Sequence, residues 1–199
     1  MDCHQITAQS VLRFWFGTPP FKVQKSLWWG GAKNDEALRQ QWGNTVNNAL
    51  MGALSDWTQS VESNLALIIL CDQMTRNIFR HTARAFAGDE LALQCVERGL
   101  INGHLESLHP LQAVFFLMPL EHNESLESQN KAVDFLTLLS DRSPDEYRKH
   151  IQSNLEFAQD HREIIRRFGR FPHRNKALSR TSTAEEVAYL SSGGRRFGQ

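Results

Sequence analysis

The sequence predicts an all-α fold, on three observations. Apolar residues recur at helical spacing in one segment after another, and helix start and stop signals bracket those segments. No alternating run suited to a strand pair accompanies them. The 199 residues suffice for one domain with a continuous core. The boundaries expected are a single helical domain over residues 1–190 and a loose tail over 191–199, where Ser191-Ser192-Gly193-Gly194 offers little to pack.

Roughly nine helices are expected from those start and stop signals, paired antiparallel as in a degenerate helical repeat. A first helix starts after Thr7 and stops at Gly17. A loop with Pro19, Pro20 and Gly30-Gly31 follows. Asn34 is placed to cap a helix with Leu38, Trp42, Val46 and Ala49 on one side. The next helix spans about 63–80, and its first half, Leu65 to Leu70, is apolar all round, which marks a buried central element. Another helix runs from Asp89 to about Ile101. His109-Pro110 opens an apolar helix that Pro119 should end or kink. A helix near 124–140 comes next, and Ser143-Pro144-Asp145-Glu146 is a strong start from which one helix, or two short ones, reaches Phe168. Thr183-Ala184-Glu185-Glu186 opens a last short helix.

Composition narrows the functional classes. The three cysteines, Cys3, Cys71 and Cys95, form no CxxC pair, and the start of the chain lacks the apolar core of a signal peptide. The longest apolar run, Leu65 to Cys71, is too short to span a bilayer. A cytoplasmic protein without membrane contact is expected. Net charge is zero, yet residues 1–147 carry 11 Lys+Arg against 17 Asp+Glu, and residues 148–199 carry 11 against 5. Either the basic part docks on the acidic part or its arginines face an anionic ligand. Nucleic acid is disfavoured, because the charges form no lysine-rich stripe interleaved with tyrosines.

Four groups of residues carry possible chemistry. The loop Phe168-Gly169-Arg170-Phe171-Pro172-His173-Arg174-Asn175 presents Arg170, His173, Arg174 and Asn175 on a segment that glycine and proline keep out of helix. Asp72, Arg76 and Arg80 fall at i, i+4 and i+8, with Gln73 and Asn77 beside them. That stripe is either the solvated face of an emerging helix or a donor set suited to carboxylate or phosphate. Glu121, His122 and Glu124 gather at a helix junction, where they could ligate a metal, act as acid and base, or merely favour a helix start. His161 lies on an apolar helix face, a position more often filled by a core histidine than by a base. Because no HExxH, paired ExxH or Cys/His spacing is present, no metal and no cofactor are expected.

The chain resembles the DUF924 family nearly end to end. The resemblance rests on Val11-Leu12-Arg13-Phe14-Trp15-Phe16-Gly17, on Leu65 to Arg80, on Pro119-Leu120-Glu121-His122, on Phe168 to Asn175 and on Thr181-Ser182-Thr183. Thr75, Trp29 and Ser179 depart from the residues usual in that family, which are proline, phenylalanine and glycine. The resemblance implies an all-helical fold similar to tetratricopeptide-repeat proteins, and it implies no activity.

The best expectation is therefore a pocket that binds a small anionic metabolite or acidic group, with ligand-binding residues Asp72, Gln73, Arg76, Asn77, Arg80, Arg170, His173, Arg174 and Asn175. The alternatives are a peptide-interaction module that clamps an acidic peptide end, and a hydrolase-type enzyme with His122, His161 or Glu121 as catalytic groups. Whether the protein is an enzyme stays open at this level.

Overall fold

The computed structural model describes residues 6–198. Among them the chain is all-α, with no strand. The helices are α1 (Ala8–Phe16), α2 (Lys25–Trp28), α3 (Asp35–Leu50), α4 (Val61–Ile68), α5 (Thr75–Ile78), α6 (Asp89–Ile101), α7 (His104–Ser107), α8 (Pro110–His122), α9 (Leu126–Arg142), α10 (Asp145–Phe168) and α11 (Ala184–Ser191). No helix among the described residues is long and apolar enough to cross a membrane.

The start signals act much as their chemistry dictates. Thr7 closes a capping box with Ser10, and Gly17 ends α1 at a φ of 78°, a left-handed geometry that glycine adopts without penalty. His109 accepts from the Leu111 N–H through Nδ1 and holds the start of α8, and Thr183 forms a capping box with Glu186. Two expected caps do other work. Asn34 donates instead to the Ser26 carbonyl at 2.7 Å, and Ser143 donates to the Leu139 carbonyl at 2.6 Å, so each ties down the loop before its helix. Pro119 does not end α8, which continues to His122. The residues after it, Leu120 and Glu121, are buried, and that packing offsets the one hydrogen bond a proline removes.

The helix expected at 63–80 runs over 61–78 and changes pitch inside. Ser60 caps α4, and Ile69–Met74 form a π-helical segment that leads into α5. A π turn leaves carbonyls without their usual partners, and here the Thr75 hydroxyl donates to the Cys71 carbonyl at 2.6 Å. Arg39 reaches across from α3 to donate to the Ile78 carbonyl at the end of α5. Leu65 to Cys71 and Met74 are fully buried, which confirms the element as central. Against it pack α1, α3, α6 and α8, while α8, α9 and α10 stack on one another through short connections. Rings from α1, α2 and α8 (Trp15, Phe16, Trp28 and Phe115) meet edge to face in one corner of this core.

A second, smaller cluster buries Ile164, Ile165 and Phe171, with Phe168, Tyr189 and Phe197 against it. It joins the end of α10 to the 168–175 loop, α11 and the tail. The tail expected to be loose is held at several points: Arg195 pairs with Asp160 at 2.7 Å, its N–H donates to the Tyr189 hydroxyl, and Arg196 donates to the Leu190 carbonyl.

Candidate functional site

The π segment determines where the polar stripe goes. Gly88 lies so close to it that a Cβ there would stand 2.2 Å from the Cys71 carbonyl oxygen, so only glycine fits. This approach delivers Asp89, the first residue of α6, to Arg76, and its two oxygens accept from Nη1 and Nη2 at 2.7 and 3.1 Å. Asp89 also accepts from Arg174 at 3.2 Å, so one carboxylate joins the central helix to the 168–175 loop. Arg80 forms a second fork with Asp35 of α3, at 2.6 and 3.0 Å.

Asp72 is fully buried and receives three contacts. Arg76 Nη1 stands 3.0 Å from one oxygen, His122 Nδ1 stands 2.7 Å from the same oxygen, and Gln73 donates to the other at 2.5 Å. Burial alone would raise this carboxyl, but the charge of Arg76 and the His122 contact outweigh it and hold it well below the usual carboxylate range. Glu121 goes the opposite way. Burial, reinforced by the Asp72 charge, pushes its pKa up to about 8. Two carboxylates thus share one site with their protonation preferences driven apart. Burial also lowers His122, with Arg76 adding to it and Asp72 opposing it. His161 lies well below its ordinary value because it is buried and beside His122.

These groups line a cleft of about 310 Å³. Its polar lining includes Gln73, Arg76, Asn77, Arg80, Glu121, His122, Asn154 and His161. Its apolar lining includes Leu27, Trp28, Trp29, Met118 and Phe157. Phe197 and Gly198 of the tail also line it. The Phe197 ring stacks on His161 with centroids 3.7 Å apart, and Arg80 Nη1 donates to the Gly198 carbonyl at 2.7 Å. Among three of these groups, Glu121, His122 and His161, one possible metal-binding atom each lies within 4.8 Å of the others.

The cleft thus gathers Gln73, Arg76, Asn77 and Arg80 from the expected ligand-binding set, with Asp72 directly behind them, and all three expected catalytic candidates. The 168–175 loop lies elsewhere. Arg170 forks onto Glu186 at 2.6 and 2.8 Å, and Asn175 donates to Ser182 and Glu186. Arg174 stacks over Phe171 and Phe86. His173 is lowered to about 3 by burial and the Arg174 charge. None of the four lines the cleft. Glu124 likewise serves the loop, accepting from Arg180 at 2.6 and 2.9 Å and from the Phe171 N–H. Part of the basic segment docks on the acidic one, since Arg174 and Arg180 meet Asp89 and Glu124, while Arg166, Arg167, Arg170 and Arg195 pair within the segment itself.

The apolar lining and the tail were not foreseen from the sequence. Trp28-Trp29 immediately before Gly30-Gly31 is a signal that could have been read, since two large rings on a short turn seldom bury completely, and Trp29 is 48% exposed. Phe197, between two charged residues and a glycine, offers no such signal.

Comparison with proteins of curated function finds no match. A solved structure, that of the protein of unknown function ATU0120 from Agrobacterium tumefaciens, superposes with a TM-score of 0.79 at 33% identity, covering 94% of this chain and 97% of that one. The pattern of the family described as bacterial protein of unknown function, DUF924, matches residues 11–194. A match over that span, with the same all-helical fold in a relative of one-third identity, means that the chain belongs to the DUF924 family.

Proposed function

We propose that the protein binds a small molecule carrying an acidic group in the cleft lined by Arg76, Arg80 and the α10 residues Asn154, Phe157 and His161. The observation that carries this reading is the way the tail lies there. A planar ring stacks on His161 and a carbonyl oxygen accepts from Arg80, so the cleft already suits a flat apolar body bearing an oxygen acceptor. Asp35 and Asp89 hold Arg80 and Arg76 in fixed orientation, which reduces the ordering cost of binding. A carboxylate or phosphate would be a stronger acceptor for Arg80 than the carbonyl it now contacts. A cytoplasmic location fits this reading, since Cys71 and Cys95 are free thiols.

One observation favours a second reading. The group in the cleft is itself a peptide segment, so a tetratricopeptide-like module that receives the acidic end of a partner peptide would use the same contacts. Histidine and carboxylate groups beside the binding surface would also serve a hydrolase-type enzyme.

Melting temperatures with phosphate, citrate, aromatic carboxylates, nucleotides and peptides ending in Phe-Gly test these readings. The proteins compared are wild type, Arg80→Ala and a chain lacking residues 195–199. A small acid at about a hundred times its Kd stabilises by about 2.7 kcal/mol, which for a domain of this size is roughly 5–10 °C. That shift should grow when the tail is removed and vanish in Arg80→Ala. Equal shifts in wild type and Arg80→Ala would remove Arg80 from the site. A response to peptides alone would favour the second reading, and no response at all would make the cluster a purely structural network.

A further inference from the structure

We propose that Glu121, His122 and His161 form a binding site for a divalent first-row transition metal such as zinc. The last turn of α8 brings Glu121 and His122, and the middle of α10 brings His161, so that coordinating atoms of all three lie within 4.8 Å of one another.

What sets this group apart from an ordinary polar cluster is the state of each donor atom. His161 Nδ1 stands 2.8 Å from the Phe157 carbonyl, and a carbonyl only accepts, so Nδ1 carries the hydrogen and Nε2 keeps its lone pair. His122 Nδ1 stands 2.7 Å from the Asp72 carboxylate, which gives that ring the same tautomer. Glu121 is only 5% exposed, and its carboxylate makes no hydrogen bond among the described residues. Its separation from His122 Nε2 is 3.8 Å, too long for a hydrogen bond between them. Two imidazole lone pairs and a carboxylate therefore converge at the cleft surface with no protein partner among the described residues. An ion between them would take all three as ligands.

The surroundings fit the same reading. Metal-binding histidines ordinarily give their second ring N–H to a carboxylate or a backbone carbonyl, which fixes the ring and strengthens the ligand. Here Asp72 does this for His122 and the Phe157 carbonyl does it for His161. Two nitrogens and one oxygen suit zinc, iron(II) or manganese(II), whereas calcium and magnesium prefer all-oxygen sites. Metal–ligand bonds of about 2.0–2.1 Å bring tetrahedral ligand atoms to about 3.3 Å apart. Side-chain torsions can close the remaining gap. Three protein ligands leave a coordination position open, and all three residues line the cleft, so that position faces it. A bound ion would then offer the acidic group of the cleft's ligand a second partner besides Arg80. This last point rests on the reading of the cleft as a small-molecule site, while the metal site itself does not.

The test uses the full chain, stripped of metal, titrated calorimetrically with Zn²⁺ and followed by visible absorption with Co²⁺. One ion per chain is expected. Glu121→Gln keeps the side-chain volume and His161→Asn keeps a polar group, and each should weaken Zn²⁺ binding by roughly 100-fold or more, while Asp72→Asn should weaken it by about 10–100-fold. His81→Asn, at an exposed position that does not line the cleft, should leave it unchanged. Zn²⁺ binding that is absent, or equal in wild type and Glu121→Gln, would overturn the proposal. Should a variant fail to fold, imidazole ¹⁵N resonances of the wild-type chain give the answer without substitution. Zn²⁺ must shift Nε2 of both His122 and His161, and a spectrum that does not change overturns the site. Metal binding without any response to acidic ligands would sink the proposed function and leave the metal site standing, and the reverse result would do the opposite.

Discussion

The central helix and the segment that follows α10 sit side by side yet are held by different physics. From Leu65 to Cys71 every side chain is buried, and burial of apolar surface supplies the stabilisation. From Arg170 to Glu186 the apolar cluster is small, and the shape depends on two arginine forks, Arg170 on Glu186 and Arg180 on Glu124, with a single contact from Arg174 to Asp89. Non-directional burial tolerates modest rearrangement, whereas bidentate pairs demand a particular geometry. The loop that looks built to hold a ligand is thus occupied with holding the fold together, and the donors that line the cleft lie on the central helix or just after it.

The largest expected effects lie in the first region. Ile69→Ala, at a fully buried position, should cost about 2–5 kcal/mol in denaturant unfolding through transfer and cavity terms. An unchanged midpoint and slope would mean that the helix is peripheral and the contrast void. Next comes the joint between the regions. Asp89→Ala leaves Arg76 and Arg174 without their shared carboxylate and should cost about 3 kcal/mol, near the lower end for breaking a buried pair because Asp89 is partly exposed. A loss near zero would show that the two regions are energetically independent.

A smaller effect is expected for the cap of α11. Thr183→Ala removes the hydroxyl that accepts from the Glu186 N–H and should cost about 1 kcal/mol. Proteolysis within 176–198 should rise more than global stability falls; equal changes would join the segment to the main core.

Dependence on pH sharpens the comparison further. The hydrogen bond from Arg170, helped by the Thr183 N–H and opposed by desolvation, holds the Glu186 pKa down from 4.5 to about 2. A depressed carboxyl contributes stability that is fully present above its unfolded pKa and is lost as pH falls through the folded value. The segment should therefore loosen between about pH 4.5 and 2, and Glu186→Gln should flatten that part of the profile. Amide exchange followed over this range should show 170–190 opening before 61–78, and simultaneous opening would refute the distinction. The smallest effect belongs to the tail. Its Arg195–Asp160 pair is mostly exposed, so deleting 195–199 should cost no more than about 1 kcal/mol while exposing His161 to solvent. A larger loss would make the tail part of the fold.

The polar stripe shows how far local spacing reaches. Its residues could be read at i, i+4 and i+8, and four of the five line the cleft, with Asp72 behind them. The partners Asp35 and Asp89 could not be read, because they stand 45 and 13 positions from the arginines they bind. Glu124 was legible only as part of a helix junction, and its role appears once Arg180, 56 positions on, arrives beside it.

By itself the sequence determined the helical class and the approximate starts of the longer helices, but not the four-residue helices α2, α5 and α7, because periodicity and capping are local properties that need more than one turn to show. It also determined that Leu65 to Leu70 would be interior, since no orientation of an all-apolar helix leaves that surface exposed cheaply. Only the tertiary structure decided which charges meet. Pairing depends on where distant helices lie relative to one another, and side-chain forks select among many possible partners by distance and angle. That decision put Glu121, His122 and His161 within reach of one another, turned the 168–175 arginines inward and laid Phe197 over the histidine.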